Sequence, residues 1–243
     1  MKQKAKKIFI DYIPALLTAA LIITFSIIRE QTFLKTLPTI ITLVVQILLA
    51  RANRFGFLLG GINACIYGLS YFDEALYFSC ISAVVISAPI QLYSFFNWSK
   101  KQLNANHTEL KFLGMKAKAA TICVVLASWA AIYFGLAPVF ATAQLPAFDT
   151  FHFAMGIIVS LLAAFRYIDS QYLNIIACTT SIIMWVIICV KNPSNINYLI
   201  ISFYNLFMVI KAAVNWTKQY IQDKKESENS ENERQTASST SAN

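Results

Sequence analysis

The chain alternates long apolar runs with short polar segments, and the runs are long enough to cross a bilayer. Most approach the ~20 residues that a helix needs to span a ~30 Å hydrocarbon core. Backbone groups in lipid must be hydrogen-bonded within their own segment, so the pattern predicts helices rather than strands. The predicted fold class is an all-α integral membrane protein. Its eight predicted transmembrane helices cover residues 8–28, 34–50, 55–72, 75–98, 119–140, 150–165, 172–190 and 196–216.

Composition and charge agree with a membrane location and set its orientation. Of 243 residues, 57% are hydrophobic and only 13% are charged, whereas about 25% of a soluble domain is charged. The net charge of +8 could indicate a nucleic-acid partner, but lysine and arginine collect on the cytoplasmic loops of membrane proteins. Sixteen of these residues lie on one side of the predicted topology and three on the other. We therefore expect the lipid bilayer as partner, no nucleic acid, and cytoplasmic termini.

Several functional classes lack their motifs. The five cysteines lie inside apolar runs with no C-x-x-C pair, so neither a disulfide, a metal nor another cofactor is predicted. No phosphate-binding G-x-x-x-x-G-K-[ST] loop occurs. Two isolated histidines without an acidic cluster do not make an enzyme's catalytic set. The basic start with a long first run and no cleavage site predicts a retained helix rather than a signal peptide.

Two apolar segments end in almost the same letters, "NWSK" at 97–100 and "NWTK" at 215–218. The repeated ending predicts two parallel three-helix units, and the whole plan is 1+3+1+3. Parallel repeats of this kind occur in transporters, with the substrate near mid-membrane between the units. Trp98 and Trp216 are interpreted as lipid-interface anchors, because tryptophan is enriched at headgroup level. The predicted divisions are an N-terminal basic segment with an extra helix, the first unit, a cytoplasmic loop with a connecting helix, the second unit, and a disordered cytoplasmic tail, at 1–33, 34–98, 99–149, 150–216 and 217–243.

Polar and aromatic side chains at membrane depth are the candidate substrate-binding residues. They are costly in hydrocarbon and tend to face the bundle interior or a wet cavity. Asn63 and Tyr67 are four residues apart on one helix face, and Ser181 and Trp185 repeat that spacing. Interhelical hydrogen bonding is the alternative role for each of them. The polar residues at this depth also include Gln46, Thr179 and Thr180. The candidates for substrate binding are Asn63, Tyr67, Gln91, Asn174, Ser181, Trp185 and Asn205.

Two further residues have open interpretations. Pro89, beside Gln91, interrupts a predicted helix and could be either a hinge for alternating access or a static bend. His152 lies near Asp149, close to the predicted outer mouth. A proton-coupling role and a structural pairing are both open for it.

Several short motifs, in order and spacing, resemble the PnuC family of bacterial vitamin transporters over about 40–216. They are Phe55-Gly56, Gly60-Gly61-Ile62-Asn63, Leu76-Tyr77, and Tyr93 with Trp98. The resemblance implies a SWEET-like 3+1+3 fold in the bacterial plasma membrane. It also implies facilitated diffusion of a water-soluble vitamin precursor, most often nicotinamide riboside. A cytosolic kinase then traps this small molecule by phosphorylation without having to bind the transporter, and a homo-oligomer is left open.

The sequence departs from the family at one motif. Riboside transporters of the family carry a W-x-x-W pair, and the aligned positions here are Gln171 and Asn174. Two amides offer hydrogen bonds in place of indole faces and their cation–π surface. Gln171 therefore joins the candidate residues, and thiamine or riboflavin stays open as the substrate. A substrate-binding subunit of an ATP-driven vitamin importer is a further alternative.

Overall fold

A computed structural model describes residues 2–100, 102–104, 107–140 and 142–240 of the chain. The α-helices are α1 Lys2–Ile28, α2 Phe33–Ala50, α3 Phe55–Asp73, α4 Tyr77–Ile81, α5 Ala88–Lys100, α6 Met115–Gly135, α7 Pro146–Ala164, α8 Asp169–Lys191 and α9 Ile196–Thr240. The minor elements are a π-helical segment Ser82–Ser87, 3-10 turns Ala137–Val139 and Pro193–Asn195, and an antiparallel hairpin of β1 Gln102–Asn104 and β2 His107–Thr108.

The helical architecture predicted from the apolar runs is confirmed. Seven helical stretches in the described residues are long and apolar enough to cross a membrane, with α4, the π segment and most of α5 counted as one. The first predicted run corresponds to α1, whose apolar part, Tyr12–Ile28, is shorter than the others. The most extensive packing joins α8 to α9, α2 to α3, α2 to α9 and α7 to α8. Helix α6 packs on α7 at the periphery and is otherwise largely exposed.

With α4, the π segment and α5 taken as one continuous helix, successive helices run in alternating directions and define two ends of the bundle. The tryptophan end contains Trp98 and Trp216, and the glutamate end contains Glu74. At the tryptophan end both indoles are 1% exposed and pack in one cluster with Phe57 and Leu110. The interpretation of the two tryptophans as lipid anchors is therefore wrong. A position at a helix end fixes depth in the membrane, but the packing of neighbouring helices decides whether the side chain faces lipid or protein.

Pro89 explains the π-helical segment that precedes it. Proline has no N–H, and its ring clashes with the carbonyl four residues earlier, so it removes one helical hydrogen bond and strains the preceding turn. Here the N–H of Ala88 bonds to the carbonyl oxygen of Ala83, five residues back. A single widened turn of this kind accommodates an extra residue inside a helix.

The C-terminal segment differs from the expected disorder, because α9 continues as helix to Thr240. Glutamate, lysine and glutamine in this stretch are good helix formers. Lys224 and Glu228 form an exposed pair one turn apart at 3.8 Å, which adds a few tenths of a kcal/mol. Residues 241–243 of the predicted tail lie outside the described residues.

Candidate substrate site

A cavity of about 290 Å³ lies between α2, α3, α5, α7, α8 and α9. The residues that line it come from both halves of the chain, as expected for a site between two units. All the residues predicted from the sequence border this one cavity, although their role in binding stays a prediction. They are Asn63, Tyr67, Gln91, Gln171, Asn174, Ser181, Trp185 and Asn205.

On the α3 wall, Asn63 combines a structural bond with a free acceptor. Its amide nitrogen donates to the carbonyl oxygen of Pro38 at 3.1 Å and to Thr42 Oγ1 at 2.9 Å. Thr42 also lies 3.2 Å from the hydroxyl of Tyr67. Asn63 Oδ1 is buried and has no hydrogen-bond partner among the described residues. The alternative of interhelical bonding thus holds for the nitrogen of Asn63, while its oxygen is buried beside the cavity and unpaired.

A side chain of α3 replaces the hydrogen bond that α2 lacks at Pro38. Proline lacks the N–H that would bond to the carbonyl oxygen of Leu34. Ser70 of α3 donates to that oxygen at 3.3 Å. Membrane helices tolerate proline where a neighbouring side chain satisfies the freed carbonyl in this way.

Aromatic rings form a second wall, nearer the glutamate end. Tyr67 and Tyr71 are stacked with centroids 5.5 Å apart, and Trp185 and Tyr198 are stacked at 4.5 Å. Tyr67 and Tyr198 approach each other to 6.3 Å, which joins the two stacks. The hydroxyl of Tyr198 is buried without a partner among the described residues. Flat apolar faces beside free polar atoms suit a planar ring that carries hydrogen-bonding groups.

Gln91 enters the cavity because Gly60 leaves room for it. A Cβ added to Gly60 would lie 2.1 Å from Gln91 Oε1. The glutamine amide thus lies directly over the backbone of α3. Gly56, the other glycine of the G-x-x-x-G pattern, faces Leu49 of α2 in the same manner. The pattern therefore serves close packing at Gly56 and side-chain positioning at Gly60.

The wall from α8 and α9 carries amides and hydroxyls. Ser181 and Ser202 have their hydroxyl oxygens 3.3 Å apart across the two helices. Gln171 is buried at the start of α8, and Asn174 lies one turn further along it. Asn205 Oδ1 is buried and unpartnered within the part of the chain that the structure describes.

The sequence analysis missed several lining residues. Tyr71 follows Tyr67 by one turn, and that spacing could have identified it. Tyr198 lies in the first turn of α9, and a tyrosine at a helix end is usually interpreted as a residue of the membrane–water interface. Serine and threonine residues in a helix do not by themselves predict a cavity, because their hydroxyls often hydrogen-bond to the backbone of their own helix. The missed lining residues with polar groups are Thr42, Tyr71, Ser94, Ser160, Tyr198 and Ser202.

Charged groups do not line this cavity. Among the described residues, its lining contains no lysine, arginine, histidine, aspartate or glutamate. Buried charges lie beyond it at both ends of the bundle. At the glutamate end Lys35 and Glu74 form an ion pair, and Asn195 donates to the other carboxylate oxygen at 2.7 Å. At the tryptophan end Arg166 pairs with Glu109 and Asp169 with Lys118. The cavity can therefore stack a planar ring and hydrogen-bond its neutral groups, without a cation to receive an anionic substrate.

Asp149 and His152, three residues apart on α7, have different partners. Asp149 accepts hydrogen bonds from the backbone N–H groups of Phe78 and Ser79 at 3.0 and 2.9 Å, and from the Ser79 hydroxyl. It thus caps the N-terminus of α4 from a different helix. His152 Nε2 lies 3.4 Å from Thr180 Oγ1. The structural pairing open for His152 is thus with Thr180.

Comparison with known proteins gives the family. A solved structure described as the crystal structure of the Vitamin B3 transporter PnuC superposes with a TM-score of 0.74 at 16% identity, covering 88% of this chain and 92% of that chain. No curated protein matches the sequence. The family model described as nicotinamide mononucleotide transporter matches residues 32–218, which confirms the resemblance to PnuC. The chain belongs to the nicotinamide mononucleotide transporter family of membrane proteins.

Proposed function

We propose that this protein takes up a water-soluble vitamin or nucleoside-like precursor, nicotinamide riboside or a related heterocycle, across the membrane by facilitated diffusion. The observation that carries the proposal is the uncharged cavity between the two halves of the chain. Its stacked aromatic pairs match a planar ring. The unpaired oxygens of Asn63 and Asn205 are buried beside the cavity, and a rotation of either side chain would present an acceptor to the donors of a sugar or amide. Sites for small molecules commonly combine an apolar lining with a few such polar groups.

The absence of lining charge favours a nucleoside over a nucleotide. A phosphate monoester carries a charge of about −1.5 to −2 at neutral pH. Burying that charge without a cationic partner is strongly unfavourable, and no cationic side chain borders the cavity in the described residues. A cytosolic kinase that phosphorylates the released substrate would therefore trap it, because the product no longer fits the cavity. The kinase acts on the free substrate and needs no contact with the transporter.

The same distribution of charge supports passive transport. Ion-coupled carriers commonly use intramembrane carboxylates or histidines that bind the coupling ion. Here no carboxylate lines the cavity in the described residues. Asp149 and Glu74 lie nearer the glutamate end, and each has hydrogen-bond partners.

We also propose the 1+3+1+3 plan, with the two units about a pseudo-two-fold axis. Many cavity-lining residues on α2 and α3 have a counterpart on α7 and α8 at a constant separation of 114 in sequence, as equivalent positions of two repeats would. With α1 and α6 as the single helices, this plan agrees with the charge bias that favours cytoplasmic termini in a bacterial plasma membrane. The pairs are 45 with 159, 46 with 160, 49 with 163, 57 with 171, 60 with 174, 67 with 181, and 71 with 185.

Alternative substrates follow from Gln171 and Asn174. Both border the cavity, and their amides could hydrogen-bond the pyrimidine of thiamine or the ring system of riboflavin. A substrate-binding subunit of an ATP-driven importer is the second candidate function. It would bind a vitamin with this cavity but would require partner proteins for transport.

The test uses the full chain purified in detergent and then reconstituted in liposomes. Binding is titrated with nicotinamide riboside, nicotinamide mononucleotide, thiamine and riboflavin. We expect saturable binding of an unphosphorylated ligand and none of the mononucleotide. Liposomes should fill with that ligand only to the external concentration, and should accumulate it when the matching kinase and ATP are enclosed. Binding without transport would favour the importer subunit, and no binding to any of the four would refute the proposal.

A further inference from the structure

A second cavity, of about 240 Å³, lies directly beside the candidate site. The two cavities share five lining residues, among them Tyr67, Gln91 and Ser181. We call the second cavity the serine chamber, after three residues that line it and not the first: Ser79, Ser82 and Ser87. His152 borders the same space from α7. Because the walls are shared, one ligand can extend from the aromatic cavity into the serine chamber.

Two of these serines have free hydroxyls. Elsewhere in the bundle serine hydroxyls bond to the carbonyl one turn earlier, as Ser94 does to Ile90 at 2.7 Å and Ser202 to Tyr198 at 2.7 Å. Neither Ser82 nor Ser87 has a side-chain hydrogen bond within the described residues, although Ser82 is only 7% exposed. Their hydroxyl oxygens keep accessible surface where the two residues line the chamber. A polar ligand or water in the chamber can therefore hydrogen-bond to them.

The π segment explains why these hydroxyls face one space. Ser82 and Ser87 are its first and last residues, five apart, and a π-turn brings positions i and i+5 together along the helix. In an α-helix residues five apart would diverge around the axis. Pro89 causes the widened turn. Gly156 lets α7 pack closely against it, since a Cβ there would lie 3.1 Å from Ser82 Oγ. π-turns of this kind occur often at functional sites.

From this geometry we infer that the serine chamber is a subsite for the hydroxylated, sugar-like part of the substrate. Ser82 and Ser87 act as hydroxyl donors and acceptors, with the amide of Gln91 at the boundary between the two cavities. The planar ring of the same substrate occupies the aromatic cavity beside Tyr67 and Trp185. His152, held near Thr180, closes the α7 side of the chamber. The inference rests on the proposed function and extends it to the class of compound selected.

The test compares ligands with and without the hydroxylated arm. Ser82→Ala, Ser87→Ala and the double variant are titrated with nicotinamide riboside against nicotinamide, and with riboflavin against lumichrome, its ring without the ribityl chain. Each single variant should lose about tenfold affinity for the hydroxylated member and less than twofold for the bare ring. The matched control is Ser99→Ala, whose hydroxyl bonds to Phe95 at 2.6 Å outside both cavities. Equal losses for both members of a pair, or no loss, would overturn the subsite.

A second measurement separates the chamber from the choice of vitamin. Ser82→Cys and Ser87→Cys are made after the five native cysteines are replaced by alanine. A membrane-impermeant thiosulfonate should label both positions, because the chamber is polar and connected to the site. Thr179→Cys, exposed on the outer face of α8 and covered by lipid, should stay unlabelled. If the vitamins fail to bind but both cysteines react, the proposed function fails and the wet chamber stands; if neither cysteine reacts, the chamber itself is refuted.

Discussion

The indole rings of Trp98 and Trp216 lie with their centroids 5.3 Å apart, although 118 residues separate them in sequence. Each indole N–H donates at 3.0 Å to a backbone carbonyl in the opposite half of the chain, Trp98 to Ala163 and Trp216 to Leu49. The neighbouring asparagines form equivalent bonds: the side-chain amide of Asn97 donates to a backbone carbonyl of α7, and that of Asn215 to one of α2. Leu49 and Ala163 both line the candidate site. The repeated ending thus holds the two halves together at the tryptophan end of the cavity.

Replacing either indole should weaken this connection. Trp98→Phe and Trp216→Phe each remove one hydrogen bond and part of a ring contact. We expect each to lower the free energy of unfolding by about 1–3 kcal/mol. The rings touch, so the double variant should deviate from additivity by at least about 0.5 kcal/mol. Denaturant or thermal unfolding in detergent measures both effects.

The control for this pair is Tyr93→Phe, because Tyr93 is 52% exposed on α5. It should change stability by no more than about 0.5 kcal/mol. If the tryptophan variants behaved like this control, the two indoles would be acting only at a lipid interface.

The burial of these tryptophans marks what sequence could and could not predict. Apolar runs predict helices, because hydrocarbon demands them, and polar residues inside the runs predicted Asn63 and Trp185 at a cavity. Whether a side chain at a helix end faces lipid or protein depends on which helices pack beside it. The burial of Trp98 therefore could not be predicted from its position in the sequence. The π segment was likewise hidden: Pro89 predicts an interruption, but its form also depends on neighbours such as Gly156.

Asn63 and Asn205 should respond differently to alanine. The Asn63 amide bonds α3 to α2 through Pro38 and Thr42, so Asn63→Ala should lower both stability and affinity. Stability should fall by about 1–2 kcal/mol, as for other interhelical hydrogen bonds in membranes. Asn205 Oδ1 has no partner within the described residues, so Asn205→Ala should leave stability unchanged or raised. It should still weaken ligand binding about tenfold, the effect of one hydrogen bond.

Parallel melting curves and binding titrations of the two variants give the comparison. A marked loss of stability in Asn205→Ala would mean that this amide is structural. Unchanged affinity in that variant would remove Asn205 from the site.

Gly60→Ala tests the position of Gln91. The new Cβ would lie 2.1 Å from Gln91 Oε1, so the glutamine side chain must rotate away from α3. A flexible side chain can do so at modest cost in stability, but its amide then leaves the boundary between the two cavities. We expect about tenfold weaker binding in a titration, with the protein still folded. Gly135→Ala is the control, since a Cβ there meets nothing within 4 Å, and equal affinity in both variants would count against a role for Gln91.

Asp149→Asn tests the cap that α7 supplies to α4. The carboxylate accepts from two backbone N–H groups and the Ser79 hydroxyl, at a fully buried position. Asparagine keeps one acceptor and turns an NH₂ group toward a donor, so unfolding should become easier by about 1–3 kcal/mol. Asp73→Asn, at the exposed end of α3, should be nearly neutral. Equal stability of the two variants in thermal unfolding would show that the cap contributes little.

Trp185 offers an optical test of the candidate site. It is 3% exposed, stacks on Tyr198 at 4.5 Å and borders the cavity, whereas Trp98 lies outside the cavity lining. A planar ligand beside Trp185 should quench its fluorescence and give a saturable signal. Trp185→Phe should abolish most of that signal and weaken binding about threefold to tenfold, because phenylalanine keeps a smaller stacking face.

In Trp98→Phe the ligand-induced quenching should persist. Loss of the signal in Trp98→Phe and its retention in Trp185→Phe would move the bound ring from the aromatic wall to the tryptophan end.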